Sequence, residues 1–136
     1  MSKELFVGKS ASISKTFTIK DVEEFADLSN DKNPVHLDEE FAKSSIFGKR
    51  IIHGMLVSSL FSGLLGEKLP GKGTIYLGQT LSFTAPVPIG EEVTASVEII
   101  NIREDKPIIT LRTTCIDSKG NMVINGEAVV KVSLLK

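Results

Sequence analysis

The feature that most constrains the fold is an apolar stretch at residues 55–65, which reads Met-Leu-Val-Ser-Ser-Leu-Phe-Ser-Gly-Leu-Leu. Only small polar residues interrupt it, and this pattern is typical of a helix that is buried on most of its sides. Even the wider apolar segment 51–66 is shorter than the about 20 residues that a membrane-spanning helix needs. Other parts of the same chain are therefore expected to cover this helix.

The second half of the chain supplies segments that can cover it. Apolar residues recur there at every second position, which is the period of a strand with one buried face. Turn residues fill the segments between them at 86–90, 104–107 and 117–120, so neighbouring strands are predicted to be antiparallel. Residues 10–17 are compatible with an additional, earlier strand. The predicted strands contain four sets of residues: Ile75, Leu77, Leu81 and Phe83; Val93, Ala95, Val97 and Ile99; Ile109, Leu111 and Thr113; Ile124, Ala128, Val130, Val132 and Leu134.

The first half of the chain predicts short helices. Thr18 and Asp21 have the spacing of a capping box at the start of the first helix. Asp38 is suited to cap a second helix, residues 39–47, with Gly48 as its stop. The apolar face of the first helix is formed by residues at helical spacing, namely Val22, Phe25, Ala26 and Ser29.

Together these elements predict one α+β domain over residues 1–136. Its curved antiparallel sheet of about five strands wraps round the long buried helix, and short helices occupy the N-terminal half. The edges and the outer face of such a sheet are protected when a second copy pairs with them. We therefore expect a homodimer or a higher homo-oligomer.

Charge and cysteine content disfavour some classes of partner and site. Lys and Arg number 16 against 17 Asp and Glu, and the net charge of −1 gives no attraction for nucleic acid. Cys115 is the only cysteine, so we expect no disulfide, a reducing compartment, and a small buried role for this side chain. With only two histidines and no supporting cluster, we expect no metal site. The first eight residues lack the apolar stretch of a signal peptide, so the chain is predicted to be a soluble, cytoplasmic protein that does not enter a membrane.

The segment that can carry chemistry is the end of the first helix, where Asp31 and His36 flank the stiffening Pro34. On composition alone, an ordinary helix-ending turn is the favoured interpretation. A carboxylate beside an imidazole is also a common means of positioning water and moving protons near neutral pH. The pair Asp31 and His36 is therefore a candidate catalytic pair.

Residues 29–38, Ser-Asn-Asp-Lys-Asn-Pro-Val-His-Leu-Asp, resemble the hydratase 2 motif of the MaoC-like (R)-specific enoyl-CoA hydratases, Ser/Thr-Gly-Asp-x-Asn-Pro-x-His-x-Asp. Residues 51–55 resemble the His-Gly-Met start of that family's central helix, and residues 81–90 its following strand and proline-rich turn. The hot-dog fold of the family, a curved sheet round a long helix, agrees with the pattern above. Asn30 replaces the glycine of the motif, and because Asn tolerates left-handed backbone angles we expect the loop to keep its shape.

The resemblance implies hydration of trans-2-enoyl-CoA to (R)-3-hydroxyacyl-CoA, a step of fatty acid metabolism. It assigns Asp31 and His36 as general base and acid on one water, and leaves open which takes the first proton. It assigns the backbone N–H of Gly54 to the thioester oxygen, where a helix N-terminus is a suitable oxyanion hole. Ser62 matches a serine near the catalytic pair, although packing of the helix explains a small residue there equally well. The CoA thioester is the implied substrate, and no cofactor is implied.

Three alternatives share this fold. Hot-dog thioesterases and 3-hydroxyacyl-ACP dehydratases usually carry a catalytic Asp or Glu on the central helix, and residues 55–66 contain neither. A non-catalytic acyl-CoA-binding module is expected to have lost Asp31 or His36, and both are present. His53 is expected to shape the start of the helix rather than to carry protons.

Overall fold

Six strands and four helices make up residues 4–132, the part of the chain that this computed structural model describes. Every strand pairing is antiparallel, and the order across the sheet is β1-β4-β5-β6-β2, with β3 also pairing with β6. The predicted α+β architecture is therefore confirmed, with six strands rather than about five. In chain order the elements are β1 (Ser10–Thr16), α1 (Ile19–Ser29), α2 (Pro34–Leu37), α3 (Glu39–Ser44), α4 (Gly54–Glu67), β2 (Ile75–Gln79), β3 (Ser82–Phe83), β4 (Glu92–Ile102), β5 (Ile108–Asp117) and β6 (Met122–Lys131).

The long helix α4 packs on the sheet, chiefly against β4 and β1. The side chains of Phe61, Leu64 and Leu65 on α4 are buried, as are the alternate residues of β4 from Val93 to Ile99. Complete burial of an aliphatic or aromatic side chain of this size stabilises a fold by about 1.5–3 kcal/mol. The apolar face of α4 therefore holds the helix in one place on the sheet.

The opposite face of α4 differs from the expectation of burial on most sides. Met55 is 57% exposed, and Ser59 and Ser62 are also exposed. The reason is that the sheet of a single chain covers one side of the helix only. Within residues 4–132 no helix is both long enough and apolar enough to cross a bilayer.

Two predicted boundaries are wrong, each for a local reason. Helix α3 ends at Ser44 rather than residue 47, because Ser45 is extended and its hydroxyl donates a hydrogen bond of 2.7 Å to the carbonyl oxygen of Ala42. The single strand expected between Ile75 and Phe83 is two strands, β2 and β3, and the register of β2 on β6 shifts between Tyr76 and Gly78.

The predicted start of α1 and the predicted burial of the cysteine agree with the structure, whereas the apolar side chains of β2 and β3 are exposed rather than buried. Thr18 and Asp21 form the capping box of α1 through reciprocal hydrogen bonds of 2.9 and 3.1 Å. Cys115 is fully buried in β5, and burial raises the pKa of its thiol to about 12, so the thiol is unreactive near neutral pH. Leu134, which was assigned to the last strand, lies outside the described residues.

Gly126 on β6 packs closely against the backbone of the segment between β2 and β3, and this packing can be tested by substitution. A Cβ at position 126 would lie 1.8 Å from the carbonyl oxygen of Thr80. We expect Gly126→Ala to lower the free energy of unfolding by at least about 1–3 kcal/mol, the usual cost of overpacking, in urea denaturation. Gly66→Ala on α4 is the control, because a Cβ there meets nothing within 4 Å and Ala favours the helix. Equal stability of the two variants would contradict this packing.

Candidate active site

The loop between α1 and α2 fixes the backbone around Asp31. Asn30 ends α1 in the left-handed conformation, with φ 65° and ψ 15°, so the residue that departs from the motif adopts the backbone angles expected of it. The Asp31 N–H donates to Ser29 Oγ at 3.1 Å, and Asp31 Oδ1 accepts from the Asn33 N–H at 3.3 Å. Asn33 in turn caps α2 by accepting from the Val35 N–H. Short polar contacts therefore shape the loop, while Asp31 remains exposed.

His36 lies in the single turn α2 and is buried, with 8% of its surface exposed. Its Nδ1 is 2.8 Å from the carbonyl oxygen of Ile51. Because a carbonyl oxygen only accepts hydrogen bonds, Nδ1 carries the proton, and Nε2 of the neutral ring is left as an acceptor. Arg50 Nε also donates to the carbonyl oxygen of His36 at 2.8 Å, which fixes the backbone of α2.

Burial sets the charge of His36. Loss of solvent lowers the pKa of its imidazole below the ordinary 6.5, and the neighbouring His53 lowers it further, against the opposing effects of the Ile51 carbonyl and of Asp31. The ring is therefore neutral at neutral pH, and its Nε2 is ready to accept a proton.

His53 stands immediately before α4 and contacts both members of the candidate pair. It is 2% exposed, and its Nε2 is 3.0 Å from the backbone oxygen of Asp31. Its ring stacks on the ring of His36, with centroids 3.8 Å apart, and meets the ring of Phe25 edge-on at 4.8 Å. The other ring nitrogen, Nδ1, is buried and has no hydrogen-bond partner among residues 4–132.

A cavity of about 430 Å³ joins the predicted site residues. Asp31, His36 and Gly54 line it, and the rest of its wall is largely apolar. Gly54 is the first residue of α4, where an N–H has no partner inside the helix. A Cβ at this position would lie 2.7 Å from two ring atoms of Phe83, so only glycine lets the Phe83 ring pack here.

Ser62 lies elsewhere, in the wall of a second cavity of about 550 Å³ between α4 and β2. Tyr76 and Gln79 also line that second cavity, and Met55 lines both cavities. Asp31, His36 and Gly54 therefore line one cavity, and Ser62 lines the other.

The arrangement suits a water molecule better than a metal ion. Potential ligand atoms of Asp31, His36 and His53 lie within 4.8 Å of one another, a cluster that the sequence did not predict. One nitrogen of each histidine is already bonded to a backbone oxygen, and the ring planes are inclined by only 25°. The two remaining lone pairs therefore lie in the nearly parallel planes of rings whose centroids are 3.8 Å apart, which is an unfavourable arrangement for binding one ion. A water needs only about 2.8 Å to each partner, so it can bridge Asp31 and His36.

Sequence reasoning missed the contacts of His53 and Phe83. The available signal for His53 was its place in the segment 51–55, directly before Gly54. The packing of Phe83 on Gly54 joins β3 to the start of α4, and no local pattern indicates such a contact.

Comparisons with known proteins agree on one family. The sequence model described as "MaoC like domain" matches residues 8–120. The chain is 55% identical to an (R)-specific enoyl-CoA hydratase from Aeromonas caviae over 96% of its own length and 98% of that protein. It is 47% identical to an (R)-specific enoyl-CoA hydratase from Rhodospirillum rubrum over 92% and 86% of the two chains. The solved structure of an (R)-hydratase from A. caviae involved in PHA biosynthesis superposes with a TM-score of 0.95, at 55% identity, over 97% of this chain and 100% of that one.

The assigned tautomer of His36 can be checked by NMR. With only two histidines in the chain, the ¹⁵N imidazole signals are assigned by comparison with His36→Ala. We expect Nδ1 of His36 to be protonated and Nε2 to be unprotonated at neutral pH, with a titration midpoint below 6.5 because burial disfavours the cation. A protonated Nε2 in the neutral ring, or a midpoint above 6.5, would contradict the geometry.

Proposed function

The chain belongs to the MaoC-like domain family and catalyses the (R)-specific hydration of trans-2-enoyl-CoA, and we propose that Asp31 and His36 activate the water that the reaction adds. The observation that carries this proposal is the convergence of an exposed carboxylate and a buried imidazole acceptor on one largely apolar cavity. The dehydration of (R)-3-hydroxyacyl-CoA is the reverse of the same reaction.

The proposed mechanism uses both groups as hydrogen-bond acceptors for one water. The water donates one hydrogen to the Asp31 carboxylate and the other to Nε2 of His36, which directs its oxygen towards C3 of the substrate. The C3–O bond forms as a proton of the water passes to one of the two groups. The group that accepted this proton then delivers it to C2 on the same face of the double bond, which completes a syn addition and returns both side chains to their starting state. General acid–base assistance of this kind accelerates reactions about 100- to 10,000-fold.

Gly54 is the proposed donor to the thioester oxygen. Attack at C3 moves negative charge onto this oxygen, and the first N–H of α4 lies at the positive end of the helix dipole. A single pre-aimed donor of this type contributes about 3 kcal/mol in other enzymes. The ring of Phe83 against Gly54 limits how far the start of α4 can move, so it supports the aim of this N–H.

The substrate is proposed to extend from the catalytic cavity past Met55 into the second cavity. Ser62 would then contact the acyl chain rather than the reacting atoms, so we propose that it is a substrate-binding residue.

No cofactor is proposed, because the two side chains and one water supply every proton transfer. The cytoplasm remains the proposed location, supported by a single buried cysteine.

The proposed roles of Asp31 and His36 are tested with crotonyl-CoA, by following loss of the enoyl-thioester absorbance. We expect Asp31→Asn and His36→Ala each to lower kcat at least about 100-fold, because each removes one acceptor for the water. Asp27→Asn is a matched control, because Asp27 lies on the exposed side of α1 and, within residues 4–132, pairs only with Lys32, at 3.7 Å. Dialysis against EDTA should leave the rate unchanged. Variants with the rate of the parent, an (S) product, or release of free CoA would refute the proposal.

A homodimer that pairs along β2 is also proposed. β2 lies at one edge of the sheet, and three consecutive side chains on it, Ile75, Tyr76 and Leu77, are 41–55% exposed. The opposite edge, β1, is mostly polar and contains Lys15, which discourages pairing there. An exposed apolar edge strand with free backbone groups is suited to pair with a second copy of itself.

Sedimentation velocity tests this interface. Leu77→Lys should shift the protein from dimer to monomer at micromolar concentration, because it places a charge in the apolar edge. Ser10→Lys, on the exposed edge strand β1, is the matched control and should leave the dimer intact. A parent that sediments as a monomer, or equal dissociation of both variants, would exclude pairing along β2.

A further inference from the structure

We propose that His53 is a positioning residue for the hydration, which fixes Asp31 and His36 relative to each other through one ring N–H and one ring face. The inference rests on the proposed roles of Asp31 and His36. It assigns His53 no proton transfer with the substrate. Its task is to couple the loop that carries the carboxylate to the turn that carries the imidazole.

The first contact is the hydrogen bond to Asp31. The backbone oxygen of Asp31 can only accept, so Nε2 of His53 carries the proton and donates at 3.0 Å. The other hydrogen bonds of Asp31 in the described part of the chain go to Ser29 and Asn33, which are two residues away and belong to the same loop. The bond from His53 therefore ties this loop to the start of α4.

The second contact is the stacking on His36. The hydrogen bond from Nδ1 of His36 to Ile51 holds one point of the ring and leaves the ring plane free to swing about that bond. The face of His53, at a centroid distance of 3.8 Å, blocks this rotation and fixes the direction of Nε2 of His36. Phe25 supports His53 with an edge-on contact at 4.8 Å, so the stacked pair has little room to shift.

The unpaired Nδ1 of His53 argues against a role limited to starting the helix. His53 is the N-cap of α4, a position where Ser, Thr, Asp or Asn usually accept a hydrogen bond from the first turn. The side chain of His53 makes no such bond, and its Nδ1 is buried without a partner among the described residues. An unsatisfied buried acceptor is unfavourable. The residue at this position is therefore suited to its contacts with Asp31 and His36 rather than to capping α4.

The test compares His53→Phe with His53→Gln in steady-state kinetics with crotonyl-CoA. Phe keeps a flat ring against His36 and removes the N–H, whereas Gln keeps an amide donor and removes the ring. We expect each variant to lower kcat about 10- to 100-fold, the usual effect of displacing a catalytic group by about 1 Å. KM should stay within about threefold of the parent, because the thioester contacts are retained. Unchanged kcat in either folded variant overturns the inference.

The background variant Asp31→Asn separates positioning from a loss of structure. If His53 acts through Asp31 and His36, then His53→Phe should lower the residual rate of Asp31→Asn by less than about threefold. A general loss of structure lowers both rates by the same factor, and that outcome overturns the inference. The melting temperature of each variant shows whether it is folded. If Asp31→Asn alone keeps the rate of the parent, the proposed function fails, whatever the result at His53.

Discussion

The site depends on where the N-terminus of α4 is held. The apolar face of α4, with Phe61 and Leu64, packs on alternate residues of β4, so the helix has one position on the sheet. That position sets the N–H of Gly54 at the wall of the catalytic cavity and the ring of His53 beneath the loop of Asp31. Core burial of about 1.5–3 kcal/mol per large side chain is thus what orients the polar groups.

The two histidines illustrate how main-chain contacts can select which ring nitrogen carries the proton. Each ring donates one N–H to a backbone oxygen, His36 to Ile51 and His53 to Asp31. For His36 this leaves Nε2 as the acceptor, and burial keeps the ring neutral by lowering its pKa. The identity of the acceptor nitrogen therefore follows from a main-chain contact across 15 residues. A sequence pattern contains both histidines but does not show which nitrogen is free.

Most of the architecture follows from local patterns, because each pattern depends on neighbours along the chain. The two-residue period of β4 predicted its buried face, and the pair Thr18 and Asp21 predicted the start of α1. The errors arose where a tertiary or side-chain contact determines where an element ends. Ser45, for example, ends α3 early. The same limit applies to the site. Asp31 and His36 share one short motif and could be predicted, whereas the stacking of His53 on His36 joins residues 17 apart in the sequence and has no local signature.

The position of the carboxylate supports the proposed pairing of Asp31 with His36. Helix α4 contains a single acidic residue, Glu67, at its last position, far along the helix from Gly54. Among residues 4–132, Asp31 is the only acidic side chain in the wall of the cavity of about 430 Å³, and it comes from the loop that precedes His36. Two acceptors on one side of a flat enoyl group can hold one water and return its proton to the same face. The proposed syn addition follows from this arrangement, because both new bonds would form on the face where the acceptors lie.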